Sequence, residues 1–381
     1  MARIRFMMLL VPLLVAGCLP VDLDVNAKGE VLIPREEGFF LYAAGSGKVT
    51  RIPYDEPGAP VYARFSPTSD DLLLVTRTKQ QNFQKETRFD LMPAKGGKPK
   101  TLFSTERDAS GVEFAPDASQ IAIVQHAGYS EDQMPEIHLV TLRSGAEKLL
   151  LKKAAVLRWM PDSKALLILK IEEKVKDTYN TIGQIATIEA ATGKLTPLAW
   201  AYGGSGELTA VSPDRKKVLF TALSASGGDA KPDTKATEKQ LFELDVAGPR
   251  LRKIDKLDRK LDSARYSPNG KKVLLVAEPK DAFFTEKRDL LVADAEMQEF
   301  KTIARDAYTP LVKLGDNACF PGWIGDETIY YFSKVSVYGT TGHALRMRQI
   351  GVDGKSSRDV QPDIDLAVTQ IAEATPKLKL K

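Results

Sequence analysis

Residues 261–276 read Leu261-Asp262-Ser263-Ala264-Arg265-Tyr266-Ser267-Pro268-Asn269-Gly270-Lys271-Lys272-Val273-Leu274-Leu275-Val276. Their chemistry is that of a strand, a tight turn and a second strand. Pro268 presets φ for the first corner of a type I turn, Asn269 bonds its own backbone, and Gly270 tolerates positive φ. The run 273–276 consists of strand formers. The same unit, an aromatic or apolar residue followed by a Pro-Asp-type turn, recurs at Phe65-Ser66-Pro67, Phe114-Ala115-Pro116-Asp117, Trp159-Met160-Pro161-Asp162 and Val211-Ser212-Pro213-Asp214. Apolar runs follow each turn, at 72–75, 121–124, 166–169 and 218–220.

Outward from these copies, two degenerate ones flank the series. Ala27-Lys28-Gly29 leads into 31–33, and Trp323-Ile324-Gly325-Asp326 leads into 329–332. Each unit then contains a second hairpin. Its first strand is predicted at 39–42, 88–91, 136–140, 184–188, 241–244, 290–293 and 345–350. Gly45, Gly96, Gly145, Gly193, Gly248 and Gly351 mark the turn behind it, and the sixth unit has Glu296-Met297 instead. Four short strands (A to D) repeated about every fifty residues are the signature of propeller blades. The turn positions 27, 67, 116, 161, 213, 268 and 325 count seven units, and six is the alternative if the Ala27 unit is only a tether. The expected fold is therefore all-β, a single propeller of four-stranded blades. The alternating apolar tail 364–371 is expected to pair with the first blade and remove the exposed sheet edges.

The Pro-Asp units resemble the WD-like propeller repeats of the TolB family. The resemblance runs over nearly all of the chain after residue 26. It implies a propeller of a type found in periplasmic proteins and in prolyl-oligopeptidase-type enzymes, and it carries little about function. The first unit begins within about ten residues of Cys18, so the N-terminal α/β domain of TolB itself has no counterpart.

The N-terminal segment has its own logic. Arg3 and Arg5 precede the apolar run 6–16, which is too short for an ordinary membrane span and fits an export signal. It ends in Val15-Ala16-Gly17-Cys18, which resembles a bacterial lipobox. Cys18 is the expected lipidation site, and three acyl chains hold a protein on a bilayer far better than one. Residues 1–17 are thus the lipoprotein signal peptide, 18–26 a lipidated tether, 27–372 the propeller and 373–381 a basic tail. Leu19 after the cysteine lacks the Asp-type retention signal, so the expected location is the outer membrane, facing the periplasm. The inner membrane and the cell surface are the alternatives.

Charge and composition narrow the function classes. The chain carries a formal charge of +4, and removing Arg3 and Arg5 leaves +2, a balance that predicts no nucleic-acid partner. With Cys18 lipidated, Cys319 has no partner for a disulfide and is expected as apolar filler. The three histidines, His126, His138 and His343, lack zinc-pair spacing. Gly45-Ser46-Gly47-Lys48-Val49-Thr50 lacks the first Gly of a phosphate loop and reads as a hairpin turn. No catalytic set, no metal and no cofactor is assigned.

Binding is expected on the long B–C connections, which in a propeller gather at one mouth of the central channel. Phe83, Tyr129, Tyr179, Phe283, Phe284 and Tyr338 lie there, and aromatic rings give large contact area at low entropic cost. The connection 224–237, rich in Gly, Ala, Asp, Lys and Pro, reads as a mobile flap or disordered insert. The expected function is a protein-binding scaffold of the cell envelope. The alternative is a channel-mouth binder of a small ligand or glycan, or a lactonase-like propeller hydrolase.

Overall fold

The computed structural model describes residues 24–359 apart from 27, 36–37, 55–58, 80–84, 127–133, 176–179, 204–208, 258, 281–286, 309–320 and 337–342. Every named element is a strand, and each hairpin pairing is antiparallel. The strands form seven successive units whose strands pair in sequence order, so the seven-blade count holds over the six-blade one. Blade two, Ala59–Phe65, Asp71–Lys79, Lys85–Pro93 and Lys100–Thr105, is representative. Its first strand is innermost and its last outermost, with no crossover.

Local turn chemistry builds each blade. After the Pro-Asp pair the chain enters positive φ at one repeated place, occupied by Ala118, Ser163, Arg215 and Gly270. The Asp117, Asp162, Asp214 and Asn269 side chains each accept a hydrogen bond from the backbone N–H two residues on, at 2.9–3.1 Å. That is the short Asx closure expected of such turns. In the second hairpin the residue at positive φ in blades one and seven is Gly47 and Gly354, not Gly45 and Gly351, and Gly248 in blade five is not at positive φ. Where blade six lacks a glycine, Met297 takes the left-handed conformation and buries its side chain.

The first blade takes in more chain than the tether boundary suggests. Val25 bridges Val31 on the inner side of the strand Glu30–Arg35, so Asp24–Asn26 supply the innermost edge. The segment 224–237 departs from expectation more sharply. Ser224–Gly227 forms a strand against Leu195–Gly203 of blade four, pairing Ala199 with Gly227 and Tyr202 with Ser224. Ala236 then packs on the cluster of Ile182, Tyr202 and Leu223. The physical reason is the outer edge of blade four, whose unpaired N–H and C=O groups accept any extended segment laid beside it. Composition alone, polar and glycine-rich, does not reveal such a partner.

Packing between blades holds the ring. Each cluster of buried residues draws on two neighbouring blades. Phe114 lies with Leu73, Val75 and Phe89 of blade two, Trp159 with Ala122 and Val124 of blade three, Tyr266 with Leu219 of blade five, and Trp323 with Leu274 and Val276 of blade six. The turn-proximal aromatics thus sit between blades. Each indole also donates a hydrogen bond backwards: Trp159 Nε1 to the Glu113 carbonyl (3.2 Å) and Trp323 Nε1 to the Arg265 carbonyl (3.0 Å). Blades seven and one close the circle by side-chain contact. Val31 and Tyr42 pack with Tyr330, Phe332 and Met347, Gln349 donates to the Tyr42 hydroxyl, and Arg358 donates to the Ala44 carbonyl at 2.8 Å. Among the described residues no strand is exchanged between these two blades, and the tail 364–371 lies outside them.

Candidate functional site

The innermost strands are sheet edges facing a central channel, and their register decides what lines it. The turn-proximal positions pair equivalently in every blade: Val25 with Val31, Phe65 with Leu72, Phe114 with Ile121, Trp159 with Leu166, Val211 with Val218, Tyr266 with Val273 and Trp323 with Ile329. Side chains alternate along a strand. If the recurrent aromatic packs between blades, the residue just before it turns towards the channel. Those residues are Asp24, Arg64, Glu113 and Arg158 in blades one to four, then Ala210, Arg265 and Gly322 in blades five to seven. All seven line one cavity of about 470 Å³. Pro67, Pro116 and Arg215, from the A–B turns, also line it, which puts the cavity at the turn end of the channel.

The two carboxylates have a structural task. An inner edge strand points backbone N–H groups at the channel with no neighbouring strand to accept them. Asp24 accepts from the Phe65 N–H at 2.6 Å, and Glu113 accepts from the Trp159 N–H at 3.4 Å. Each acid therefore caps the next blade at its aromatic position. Glu113 also lies 3.7 Å from Arg158. Burial pushes the Asp24 and Glu113 carboxyls above the ordinary carboxylate range, against the opposing pull of Arg64 and Arg158 on both and of Arg215 on Glu113. Desolvation disfavours the charged form, and here it outweighs the neighbouring guanidinium groups.

The arginines are oriented by carbonyls. Arg64 Nε donates to the Val112 carbonyl (3.5 Å) and Arg158 Nη1 to that of Leu157 (3.1 Å). Arg215 Nε donates to the Trp159 carbonyl (3.0 Å) and Arg215 Nη1 to that of Ser212 (3.3 Å). Four guanidinium groups thus share the lining with two carboxylates, a cationic excess. A second cavity, of about 480 Å³ beside blades five and six, is also rich in cations. There, however, Arg259 is bound to Asp289, Lys260 to Glu278 and Lys253 to Asp255.

The sequence-derived sites fall elsewhere. Phe83, Tyr129, Tyr179, Phe283, Phe284 and Tyr338, together with Cys18 and Cys319, lie outside the described residues. His138 is buried in the strand Pro135–Thr141 between Glu136 (3.3 Å) and Glu147 (2.7 Å), a packed histidine as expected. Gly45–Gly47 form part of a hairpin turn with no helix behind it, also as expected. Among the described residues no group of three or more His, Cys, Asp and Glu is placed to hold a metal ion. The arginine-lined ring was not picked out from the sequence. Its signal was a charged residue immediately before the recurrent aromatic, in Arg64-Phe65, Glu113-Phe114, Arg158-Trp159 and Arg265-Tyr266.

No protein-family model and no curated protein matches the chain. Solved structures do. The tricorn protease superposes with a TM-score of 0.59 at 11% identity, over 90% of this chain and 34% of its own. An oligogalacturonate lyase from Vibrio parahaemolyticus gives 0.52 at 13% identity, over 77% of this chain and 75% of its own. TolB from Acinetobacter baumannii gives 0.47 at 14% identity, over 88% of this chain and 77% of its own. At such identities the likeness is one of fold, and it agrees with the propeller read from the repeat.

Proposed function

We propose that this chain is a lipid-tethered propeller of the bacterial cell envelope that serves as a protein-binding scaffold, engaging its partner at the channel mouth where the B–C connections gather. The observation that supports this most is the difference between the two ends of the blades. Strand direction alternates in every blade, so the A–B and C–D turns share one end and the B–C and D–A connections the other. The first end is built from tight, self-bonded turns. The flanking strands of the B–C connections, such as Ala165–Lys174 with Thr181–Glu189 and Thr328–Ser336 with His343–Gly351, run long towards the second. Length there has an ordering cost that recognition of a partner would offset. The lipid on Cys18 would keep the propeller at the outer membrane, facing the periplasm.

A photocrosslinking amino acid placed at Tyr129 or Tyr179, and at Ser46 or Thr192 on the turn end, tests the orientation in native membranes. Adducts from the first pair and none from the second support the scaffold, whereas equal yields from both ends refute it. Cys18→Ala should release the protein from detergent-extractable membranes. Retention of that variant would show that the lipid is not the anchor.

A further inference from the structure

The B–C connection of blade five carries a strand that belongs to its neighbour. Lys217–Ala222 ends at the mouth end, and Ser224–Gly227 then runs back along the outer edge of Leu195–Gly203, the last strand of blade four. The register places Ser224 opposite Tyr202, Ala225 opposite Ala201 and Ser226 opposite Trp200. Opposed residues share a face of the sheet. Two serines therefore lie against two aromatic rings, which belong to a small apolar cluster with Ile182, Leu223 and Val175. Neither hydroxyl serves that surface. Ser224 Oγ donates to the Asp233 carbonyl (2.6 Å) and Ser226 Oγ to that of Ala230. The Trp200 ring stays half-buried, and its buried Nε1–H finds no acceptor among the described residues. We infer that the outer edge of blade four docks an extended segment of a partner protein as an added strand, and that Ser224–Gly227 is a removable plug of that edge.

The edge is suited to exchange. The bulge of Leu195–Gly203 falls between Pro197 and Ala199, and 199–202 pair without interruption, so their outward N–H and C=O groups accept any extended segment in register. The insert brings little apolar surface to what it covers. Ala225 and Ala236 add only methyl groups to their clusters, and Lys231 lies 3.8 Å from Glu173 with both side chains well exposed. Exposed ion pairs of that kind contribute little. The two serine bonds close the insert on itself, so it leaves the edge as one unit. A better-matched strand has an apolar side chain opposite Tyr202 and an amide side chain opposite Trp200, large enough to cover the indole and to accept from its Nε1–H. This docking mode rests on the scaffold reading, which supplies the partner, and adds the form in which that partner is held.

The probe is a fluorescein-labelled peptide with the sequence 222–228 carrying Ser224→Val and Ser226→Gln, and the unchanged sequence is its control. Fluorescence anisotropy compares the full chain in detergent micelles as wild type, as a deletion of 224–237, and as Ala201→Cys with Ala225→Cys in a Cys319→Ala background. The deletion leaves Leu223, Glu238 and Lys239 between the paired Ala222 and Gln240, a length that hairpins accept. The two cysteines stand at opposed positions, whose Cα atoms in an antiparallel ladder are about 4.5–5.5 Å apart, within disulfide reach. The peptide should bind the deletion variant saturably and wild type about ten-fold or more weakly, because the insert occupies the edge. The oxidised cysteine pair should not bind it, and reduction should restore wild-type binding. Trp200→Phe in the deletion variant should remove the preference for the glutamine peptide over its control. Equal affinity in wild type and the deletion variant, or in the oxidised and reduced pair, would overturn the docking edge, and the second comparison decides even if the deletion fails to fold. Self-association of the deletion variant that the peptide does not reverse would assign the edge to a second copy and overturn it as well. These readouts use no partner, so crosslinking from Tyr129 and Tyr179 tests the scaffold reading separately.

Discussion

Blades one to four and blades five to seven put the same backbone around the channel and different chemistry into it. In the first half every arginine that faces the lumen has a carboxylate beside it, and each carboxylate also holds the N–H of the following blade. In the second half Arg265 stands between Ala210 and Gly322. The lesson is that a propeller ring does not need paired charge all the way round. Where acids cap the inner edge it is part of the fold. Where Ala210 and Gly322 stand in their place, the aromatic layer packs between the blades all the same.

That contrast can be broken most forcefully at the aromatic layer, which is common to both halves. Trp159→Ala and Trp323→Ala each remove a buried indole that packs between blades and bonds a ring-residue carbonyl. Each should cost about 3–5 kcal/mol in chemical denaturation. If Trp323→Ala cost far less than Trp159→Ala, the two halves would differ in packing and not only in charge.

Glu113→Ala comes next. It leaves the Trp159 N–H without its acceptor and removes the carboxylate 3.7 Å from Arg158, and should cost about 1–3 kcal/mol. Arg265→Gln, in the other half, should cost less than Glu113→Ala. The reverse order in urea midpoints would mean that Arg265 is a structural element and that the halves are alike.

The smallest expected effect is a pH slope. The Asp24 and Glu113 carboxyls are raised by burial, so the folded chain holds more protons than the unfolded one just above the ordinary carboxylate value of about 4. Their contribution to stability is therefore greatest below that value and is lost as pH rises through the raised folded value. Comparing wild type with the Asp24→Asn, Glu113→Gln double variant isolates it. Other carboxyls, such as Glu136 and Asp214, are lowered and slope the opposite way in both proteins. The stability difference between the two proteins should change with pH only within that window. A difference that stays flat from acid to neutral would show that these carboxyls titrate normally.

The blades were legible in the primary chain because their signals are local. Pro268-Asn269-Gly270 closes a turn over a few residues, and the alternating runs on either side need only each other to form a hairpin. The aromatics at Phe114, Trp159, Tyr266 and Trp323 could be assigned to blade interfaces for the same reason, since recurrence at one register position demands one common environment. The insert 224–237 was misread because its partner, the outer edge of blade four at Leu195–Gly203, is supplied by a neighbouring unit. Sequence by itself thus determined the repeat, the hairpins and a count of seven or six units, and the structure settled that count at seven. Only the tertiary structure decided that Asp24, Arg64, Glu113, Arg158 and Arg265, each many residues from the next, meet in one cavity. Hairpin formation depends on contacts across a turn, whereas convergence of the inner strands depends on the packing of seven interfaces at once, and no stretch of chain shorter than the whole ring contains that information.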